Sequence, residues 1–107
     1  MPLELTLLGS VSARRFDEPL DLGGPKQRAL AVFLLLRSPD VIPSYDCIEA
    51  VWGLDAPDGA IRSLRTYVSN LRRILAPEIE LESMGNGYRM VRRDIVVDVD
   101  RIGELLD

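Results

Sequence analysis

The segment from Ile61 to Leu75 constrains the fold of this chain more than any other part of the sequence. Its apolar residues recur at steps of three and four, so at about 100° per residue they form one stripe along an α-helix. Such a stripe must be buried against other elements, because an isolated short helix is marginal in water. The stripe consists of Ile61, Leu64, Val68, Leu71 and Leu75. We therefore predict a helix here, closed by Pro77, with one face in the core.

The other side of this predicted helix is polar and basic. From Ala60 to Ala76 there is no acidic residue. An exposed face usually mixes charges of both signs, so a face whose charges repel one another indicates an anionic partner, unless it is simply a solvated cationic surface. The side most nearly opposite the stripe holds Arg62, Thr66, Ser69, Asn70 and Arg73, while Arg65 and Arg72 lie at one boundary and Tyr67 lies at the other.

The positive charge is concentrated in one part of the chain, although the net charge is -4. Residues 60–93 carry seven arginines against three glutamates, and acids outnumber bases both before and after this block. Charge distribution matters more than its sum for a polyanion-binding surface. The acidic total therefore does not exclude a nucleic-acid partner.

The N-terminal residues are typical of a small antiparallel sheet. Leu3, Leu5 and Leu7 alternate with polar residues, as in a half-buried strand. Two more short strands are predicted at 11–15 and 20–22, separated by the polar stretch 16–19.

Two further helices are predicted before the basic one. The first runs from Pro25 to about Arg37, and its apolar second half makes it the central core element. The second starts with Ser44 as its cap, runs to Val51 or Trp52 and ends at Gly53. Asp55 or Asp58, in the loop that follows, is available to cap the third helix.

A β-hairpin is predicted directly after the third helix. Extended runs at 81–84 and 88–91 flank Gly85-Asn86-Gly87, and Asn-Gly readily adopts the positive φ angles of tight turns. Ile95–Val97 is predicted to add a final strand. Two helices, a short turn and a hairpin form the winged helix-turn-helix arrangement, an α+β fold with an N-terminal antiparallel sheet, three helices and a C-terminal wing.

The residue types of the basic face suit double-stranded DNA. Arginine binds phosphate or guanine, asparagine binds adenine, and a threonine methyl contacts thymine. We expect Arg62, Ser69 and Arg73 on phosphates, Thr66 and Asn70 on base edges, and Arg65 and Arg72 at the groove margins.

The hairpin adds candidate contacts of its own. Asn86 at its tip and Arg89 are candidate DNA contacts, whereas core packing is an equal explanation for Tyr88. Arg92 and Arg93 have a competing explanation too, since they would keep an edge strand from pairing with another chain. The alternative function is a protein-interaction module whose basic face docks an acidic partner.

Other classes of function have little support in the composition. The chain has no histidine, no phosphate-cradling loop and no metal-ligand cluster, so we expect neither an enzyme nor a cofactor or metal site. The single cysteine, Cys47, is expected to be a small buried side chain. The longest apolar run, 29–36, is far too short for a membrane span, and the N-terminus lacks a signal-peptide core, so we expect a cytoplasmic protein.

Four blocks resemble the amino-terminal domain of the Streptomyces antibiotic regulatory proteins, which is an OmpR-type winged helix. They are LGGPKQRAL (22–30), AVWG (50–53), LRTYVSNLRRIL (64–75) and GYRM (87–90). The resemblance implies a four-stranded antiparallel sheet, three helices and a hairpin wing. It also implies an activator of secondary-metabolite genes, such as those for antibiotics, that binds direct repeats as adjacent copies. RNA polymerase would be contacted partly through the loop that contains Leu54, Asp55 and Asp58.

The same resemblance predicts the domain boundaries. Residues 1–97 would form the winged-helix domain, and residues 98–107 would be a linker and the start of a helical bacterial transcriptional activation domain. Many relatives have a basic residue where this chain has Asn70, so the base preference of this helix is expected to be its own.

Overall fold

The chain folds into two β-sheets and three α-helices, seen in a computed structural model that describes residues 2–8 and 10–98. The three helices are α1 (Pro25–Arg37), α2 (Ser44–Trp52) and α3 (Ala60–Leu75). The strands are β1 (Leu3–Thr6), β2 (Ser12–Arg15), β3 (Glu18–Leu20), β4 (Ile42–Pro43), β5 (Ile79–Met84), β6 (Gly87–Arg92) and β7 (Ile95–Val97). The winged helix-turn-helix order predicted from the sequence is confirmed.

The first sheet has the order β3-β2-β1-β7. Its first three strands are antiparallel, as predicted, but β7 pairs with β1 in parallel, with Leu3 opposite Ile95. The expectation of an entirely antiparallel four-stranded sheet is therefore wrong. The chain reaches β7 by a turn after the hairpin, where the Leu3 amide donates to the Asp94 carbonyl at 2.9 Å, and so it arrives running in the direction of β1.

The second strand turns into the third more tightly than predicted. Phe16 and Asp17 alone form the connection, with φ angles of 53° and 64°. This pair of positive φ values belongs to the type I′ turn, whose twist matches that of antiparallel strands. Strand β3 consequently covers residues 18–20 rather than 20–22, and Pro19 lies on an edge strand, where its missing N–H removes no ladder bond.

The first two helices have the predicted bounds, with one correction at a cap. In α1, Leu30, Ala31, Leu34 and Leu35 are buried, whereas Leu36 is exposed, so the helix is covered on most sides but not on all. In α2, Ser44 does not act as the cap.

The Ser44 hydroxyl instead donates to the Asn86 carbonyl at 2.7 Å, because the hairpin tip lies beside the start of α2. Later in α2, Cys47 is fully buried as expected, and desolvation by burial raises the pKa of its thiol to about 11.

The third helix buries its predicted stripe except at one end. Leu64, Val68, Leu71 and Leu75 are in the core, while Ile61 is 42% exposed and Ala60 is buried in its place. Ile61 lies at the edge of the stripe, where a groove separates the helix from the hairpin tip. Neither Asp55 nor Asp58 caps the helix, because the capping residue is Gly59 and no side chain bonds to the free amides.

The hairpin is confirmed, with a different role for its glycines. Gly85 and Asn86 form the two-residue turn, and the positive φ of 57° belongs to Gly85 rather than to Asn86 or Gly87. Gly87 is required for another reason. A Cβ on Gly87 would lie 2.4 Å from the Ile42 carbonyl oxygen, since β4 crosses close to β6 at this point. Because Gly87 has no side chain, β4 can pair with β6 at the hairpin tip and complete the second sheet, whose order is β4-β6-β5.

A nearly buried ion pair joins the first sheet to the end of α3. Arg15 donates to both carboxylate oxygens of Glu78 at 2.7 Å, and its Nη2 also donates to the carbonyls of Ile74 and Ala76 at 3.0 and 3.2 Å. These carbonyls at the C-terminus of the helix have no partner within it, so the guanidinium caps the helix and pairs with the acid together. The Arg15 hydrogen bond lowers the pKa of Glu78 below its ordinary value.

We expect Glu78→Gln to reduce the free energy of unfolding by about 3 kcal/mol at pH 7, because it leaves the Arg15 charge partly buried without its partner. The lowered pKa means that the native pair contributes fully above the ordinary glutamate pKa of 4.5 and is lost as the pH falls below it toward the folded-state pKa. Denaturant unfolding of both proteins at pH 7 and pH 3 should show the difference shrinking at the lower pH. An equal difference at both values would contradict this role for the pair.

Candidate nucleic-acid interface

The outward face of α3 is formed by four polar residues that are all exposed. They are Arg62, Thr66, Ser69 and Arg73, and they lie opposite the buried stripe as the periodicity predicted. Within the part of the chain that the structure describes, no hydrogen bond or ion pair engages the guanidinium groups of Arg62 and Arg73. The two charges are therefore available to a partner from outside the domain.

Thr66 exposes its methyl group, whereas its hydroxyl donates a hydrogen bond within the helix. Its Oγ1 donates to the Arg62 carbonyl one turn earlier at 3.2 Å, which is the local bond that threonine commonly makes in a helix. The hydroxyl hydrogen is used inside the helix, so the exposed side chain offers an apolar methyl and an oxygen acceptor.

One boundary of the basic face meets the hairpin through two arginines with different surroundings. Arg72 donates from Nε to the Leu81 carbonyl at 2.8 Å and from Nη2 to the Ser83 hydroxyl at 3.0 Å. Arg65 has no such partner among the described residues and borders a groove of about 420 Å³ between α3 and the hairpin tip. Arg72 thus holds β5 against the helix, whereas Arg65 leaves its charge in the groove.

The groove itself is polar on the hairpin side. Ser83, Asn86 and Tyr88 line it opposite Ile61 and Arg65. The Asn86 carbonyl is held by the Ser44 amide at 2.8 Å and by the Ser44 hydroxyl, while its residue is exposed at the tip of the turn. The tip is therefore tied by its backbone and keeps its side-chain amide for solvent or a ligand.

Tyr67, at the other boundary of the basic face, is packed rather than displayed. Its ring stacks on Trp52 of α2, with centroids 5.8 Å apart and planes 15° from parallel. The ammonium group of Lys26, a residue of α1, lies 6.0 Å from the centre of the same Trp52 ring. The ring stacking fixes the angle between α2 and α3, so Tyr67 has a structural role in addition to its predicted place beside DNA.

Asn70 lies on the same side as Tyr67 and is half-buried. Its Nδ2 donates to Oε1 of Gln27 on α1 at 3.0 Å. The structure thus moves Asn70 from the centre of the exposed face, where the sequence placed it, to the edge that contacts α1.

The arginines of the wing are engaged within the protein. Arg89 donates to Glu82 at 2.6 Å across the hairpin, and Arg93 pairs with Glu80 at 3.0 Å. Arg92 donates to the Leu35 carbonyl at 2.9 Å, near the end of α1. Glutamates therefore neutralise Arg89 and Arg93 of the wing, whereas Arg62, Arg65 and Arg73 of α3 have no ion-pair partner among the described residues. Tyr88 is half-buried and packs against the core, as the core-packing explanation predicted.

The loop between α2 and α3 exposes its apolar and acidic side chains together. Leu54 is 86% exposed, Asp55 and Asp58 are exposed, and Tyr45 of α2 shares a small pocket with Leu54. This surface is separate from the groove beside the hairpin, since the two share no lining residue.

The sequence predicted no interface role for Gln27, Trp52 or Ser44, although all three hold parts of the interface in place. For Gln27 a signal was present. It precedes Leu30, Ala31 and Leu34 at helical spacing, so an amide on the buried side of α1 could have been predicted to need partners. The contacts of Ser44 depend on long-range packing that no local pattern encodes.

The chain is similar to known transcriptional regulators. A family profile described as "Transcriptional regulatory protein, C terminal" matches residues 17–90. The chain is 44% identical over 86 residues to regulatory protein AfsR of Streptomyces griseus, which is 80% of this chain and 9% of AfsR. It is 33% identical over 104 residues to transcriptional regulatory protein EmbR of Mycobacterium tuberculosis, which is 92% of this chain and 27% of EmbR. The chain therefore spans a minor part of the length of these relatives.

A solved structure shows the same fold. It is Mycobacterium tuberculosis EmbR in complex with a low affinity phosphopeptide, which matches with a TM-score of 0.75 and 33% identity over 84% of this chain and 25% of that chain. These matches confirm the resemblance to the Streptomyces antibiotic regulatory proteins and the winged-helix fold. The relatives carry the names of regulators and not of enzymes.

The adjacent arginines Arg72 and Arg73 should differ in what they do for stability. Arg72→Ala removes two hydrogen bonds to β5 and should lower the free energy of unfolding by about 1 kcal/mol, whereas Arg73→Ala, on the free face, should change it by less than about 0.5 kcal/mol. Chemical denaturation of the two variants beside the parent protein measures this. Equal losses for both would show that Arg72 does not anchor the wing.

Proposed function

This chain belongs to the transcriptional regulatory protein, C-terminal family of winged-helix DNA-binding domains, and we propose that it binds specific sequences of double-stranded DNA through the outward face of α3. One observation carries the proposal. Arg62 and Arg73 stand exposed and unpaired within the described residues, on a helix with no acidic side chain. Free charges of one sign on a rigid helix are suited to the phosphates beside a major groove.

The helix would enter the major groove with its residues divided by role. Arg62, Ser69 and Arg73 contact phosphates and set the register of the helix on DNA. Thr66, which displays a methyl group, and Asn70, at the α1 edge, read base edges.

Arg65 belongs to a second contact, in the groove between α3 and the hairpin. The phosphate backbone of one DNA strand would follow this groove, with Arg65 on one side and the Asn86 amide on the other. Arg72 acts through the wing that it holds, and Arg89 keeps its charge paired with Glu82 unless DNA replaces that partner. Tyr67 lies at the margin of the proposed DNA contact and stacks on Trp52.

At the level of the whole regulator, we propose an activator of secondary-metabolite genes in the cytoplasm. The exposed Leu54, with Asp55 and Asp58 beside it, is the surface for RNA polymerase, and it is separate from the groove assigned to DNA. One helix and one wing supply few contacts, so a single copy binds weakly and adjacent copies on direct repeats supply the affinity. The 44% identity to regulatory protein AfsR supports a regulatory role.

Residues 98–107 bear on the proposed domain boundary. The Asp98 carboxylate accepts hydrogen bonds from the amides of Leu7 and Leu8, both at 2.9 Å, so this residue is part of the first sheet's contacts. The remainder of the proposed linker lies outside the described residues.

Nowhere in 2–8 or 10–98 does the structure contain a helix long and apolar enough to cross a membrane.

Selection of bound sequences from a random DNA pool tests the proposal directly, because it reveals the motif and the repeat spacing together. We expect a recurrent motif with half-sites about one helical turn apart. Failure to enrich any sequence would favour a protein-interaction module that docks an acidic partner.

Arg73→Ala should weaken binding to target and non-target DNA alike and reduce the slope of log K against log salt by about 1, because one phosphate contact is lost. Arg14→Ala is the matched control. It removes the same charge from the exposed face of the first sheet and should leave the slope unchanged. Binding isotherms at several salt concentrations supply the measurement, and identical slopes for both variants would contradict the assigned face.

A further inference from the structure

Gln27 is a buried amide with two polar contacts, one on each side. It is 7% exposed, and it lies where the start of α1 meets α3. Its Nε2 donates to the Leu22 carbonyl at 2.8 Å, and its Oε1 accepts from Asn70 at 3.0 Å. A buried amide usually requires such partners. Here one of the two hydrogen bonds is made to a residue of α3, the helix that would face DNA.

The orientation of this amide is determined by the backbone. The Leu22 carbonyl can only accept a hydrogen bond, so the nitrogen end of Gln27 must face it. The reversed amide would set two acceptor oxygens against each other in a buried site, which is costly. The oxygen end of Gln27 therefore always faces Asn70.

The space around the amide reinforces this arrangement. A Cβ on Gly23 would lie 2.3 Å from Nε2 of Gln27, and Gly23 has a φ of 97°, which side chains rarely adopt. The glycine thus allows the amide to sit directly beneath the turn into α1. The Gln27 side chain is confined by this turn on one side and by α3 on the other.

The orientation of Gln27 is transmitted to Asn70. Since Oε1 accepts, Asn70 must offer its Nδ2, and its Oδ1 is directed away from Gln27. An asparagine without this contact would present its amide either way round to a base edge. Recognition of adenine requires the oxygen and a nitrogen hydrogen in one defined order, so a fixed amide discriminates between bases better than a rotating one.

We propose that Gln27, which does not itself reach DNA, is a positioning residue for base specificity because it sets the orientation of the Asn70 amide. The inference rests on the proposed DNA-binding function of α3. It assigns part of the sequence preference to α1, a helix that the sequence analysis placed only in the core.

The test compares Gln27→Met and Asn70→Ala singly and combined. The base pair read by Asn70 is first identified as the position at which Asn70→Ala loses discrimination, which we expect to be about tenfold in the parent protein. Gln27→Met should lose most of this discrimination while changing affinity for non-specific DNA by less than about twofold. In the Asn70→Ala background, Gln27→Met should have no further effect on discrimination.

A control variant separates positioning from stability. Ile79→Val destabilises the core away from this contact and should leave discrimination unchanged, with all proteins assayed well below their unfolding temperatures.

The outcomes distinguish this inference from the proposed function. Parent-like discrimination in Gln27→Met overturns the inference, as does an equal loss in the presence and absence of the Asn70 side chain. An Asn70→Ala protein that discriminates as well as the parent overturns it too, while DNA binding by α3 stands. A parent protein that binds no DNA overturns the proposed function itself.

Discussion

Burial of one stripe of α3 is the constraint on which the rest of this structure depends. Leu64, Val68, Leu71 and Leu75 are almost completely removed from water, and α1, α2 and β5 all pack around the same helix. Burial of four such side chains supplies about 6–12 kcal/mol of gross stabilisation, an amount comparable to the net stability of a small domain. The rotation of α3 about its axis is therefore settled by the core, and its polar face is directed outward as a consequence.

The arginines of this region illustrate how position decides the use of one residue type. Arg15 neutralises Glu78 and caps α3, Arg72 bonds to β5, and Arg89 pairs across the hairpin. Where α3 faces solvent, Arg62, Arg65 and Arg73 stand without an intramolecular partner in the described part of the chain. A count of positive charges overstates the binding surface, because most of these guanidinium groups stabilise the domain.

Periodicity predicted the helices well because each one carries a local signal. The apolar stripe of α3, the proline at the start of α1 and Gly53 after α2 all act within a few residues of the boundary that they determine. The basic face followed from the same periodicity, since the side opposite a buried stripe is exposed wherever nothing else covers it.

The errors share a different origin, which is contact between distant parts of the chain. Ile61 is exposed because the hairpin tip leaves a groove there, and Ser44 bonds to Asn86 rather than to its own helix. The parallel pairing of β7 depends on where the hairpin ends, and the contact of Asn70 depends on an amide 43 positions earlier. The site was thus predictable as a face of a helix, but not in the packing that orients its individual side chains.

The parallel pairing of β1 with β7 has a consequence for how the domain is made. Leu3 meets Ile95, so one edge of the first sheet closes only when nearly the whole domain is available. Contacts of such long sequence separation carry a high loop-closure entropy and slow folding. On the ribosome, β1 emerges well before β7 and keeps an open edge until that strand follows, so this domain completes its fold only after its last strand has been made.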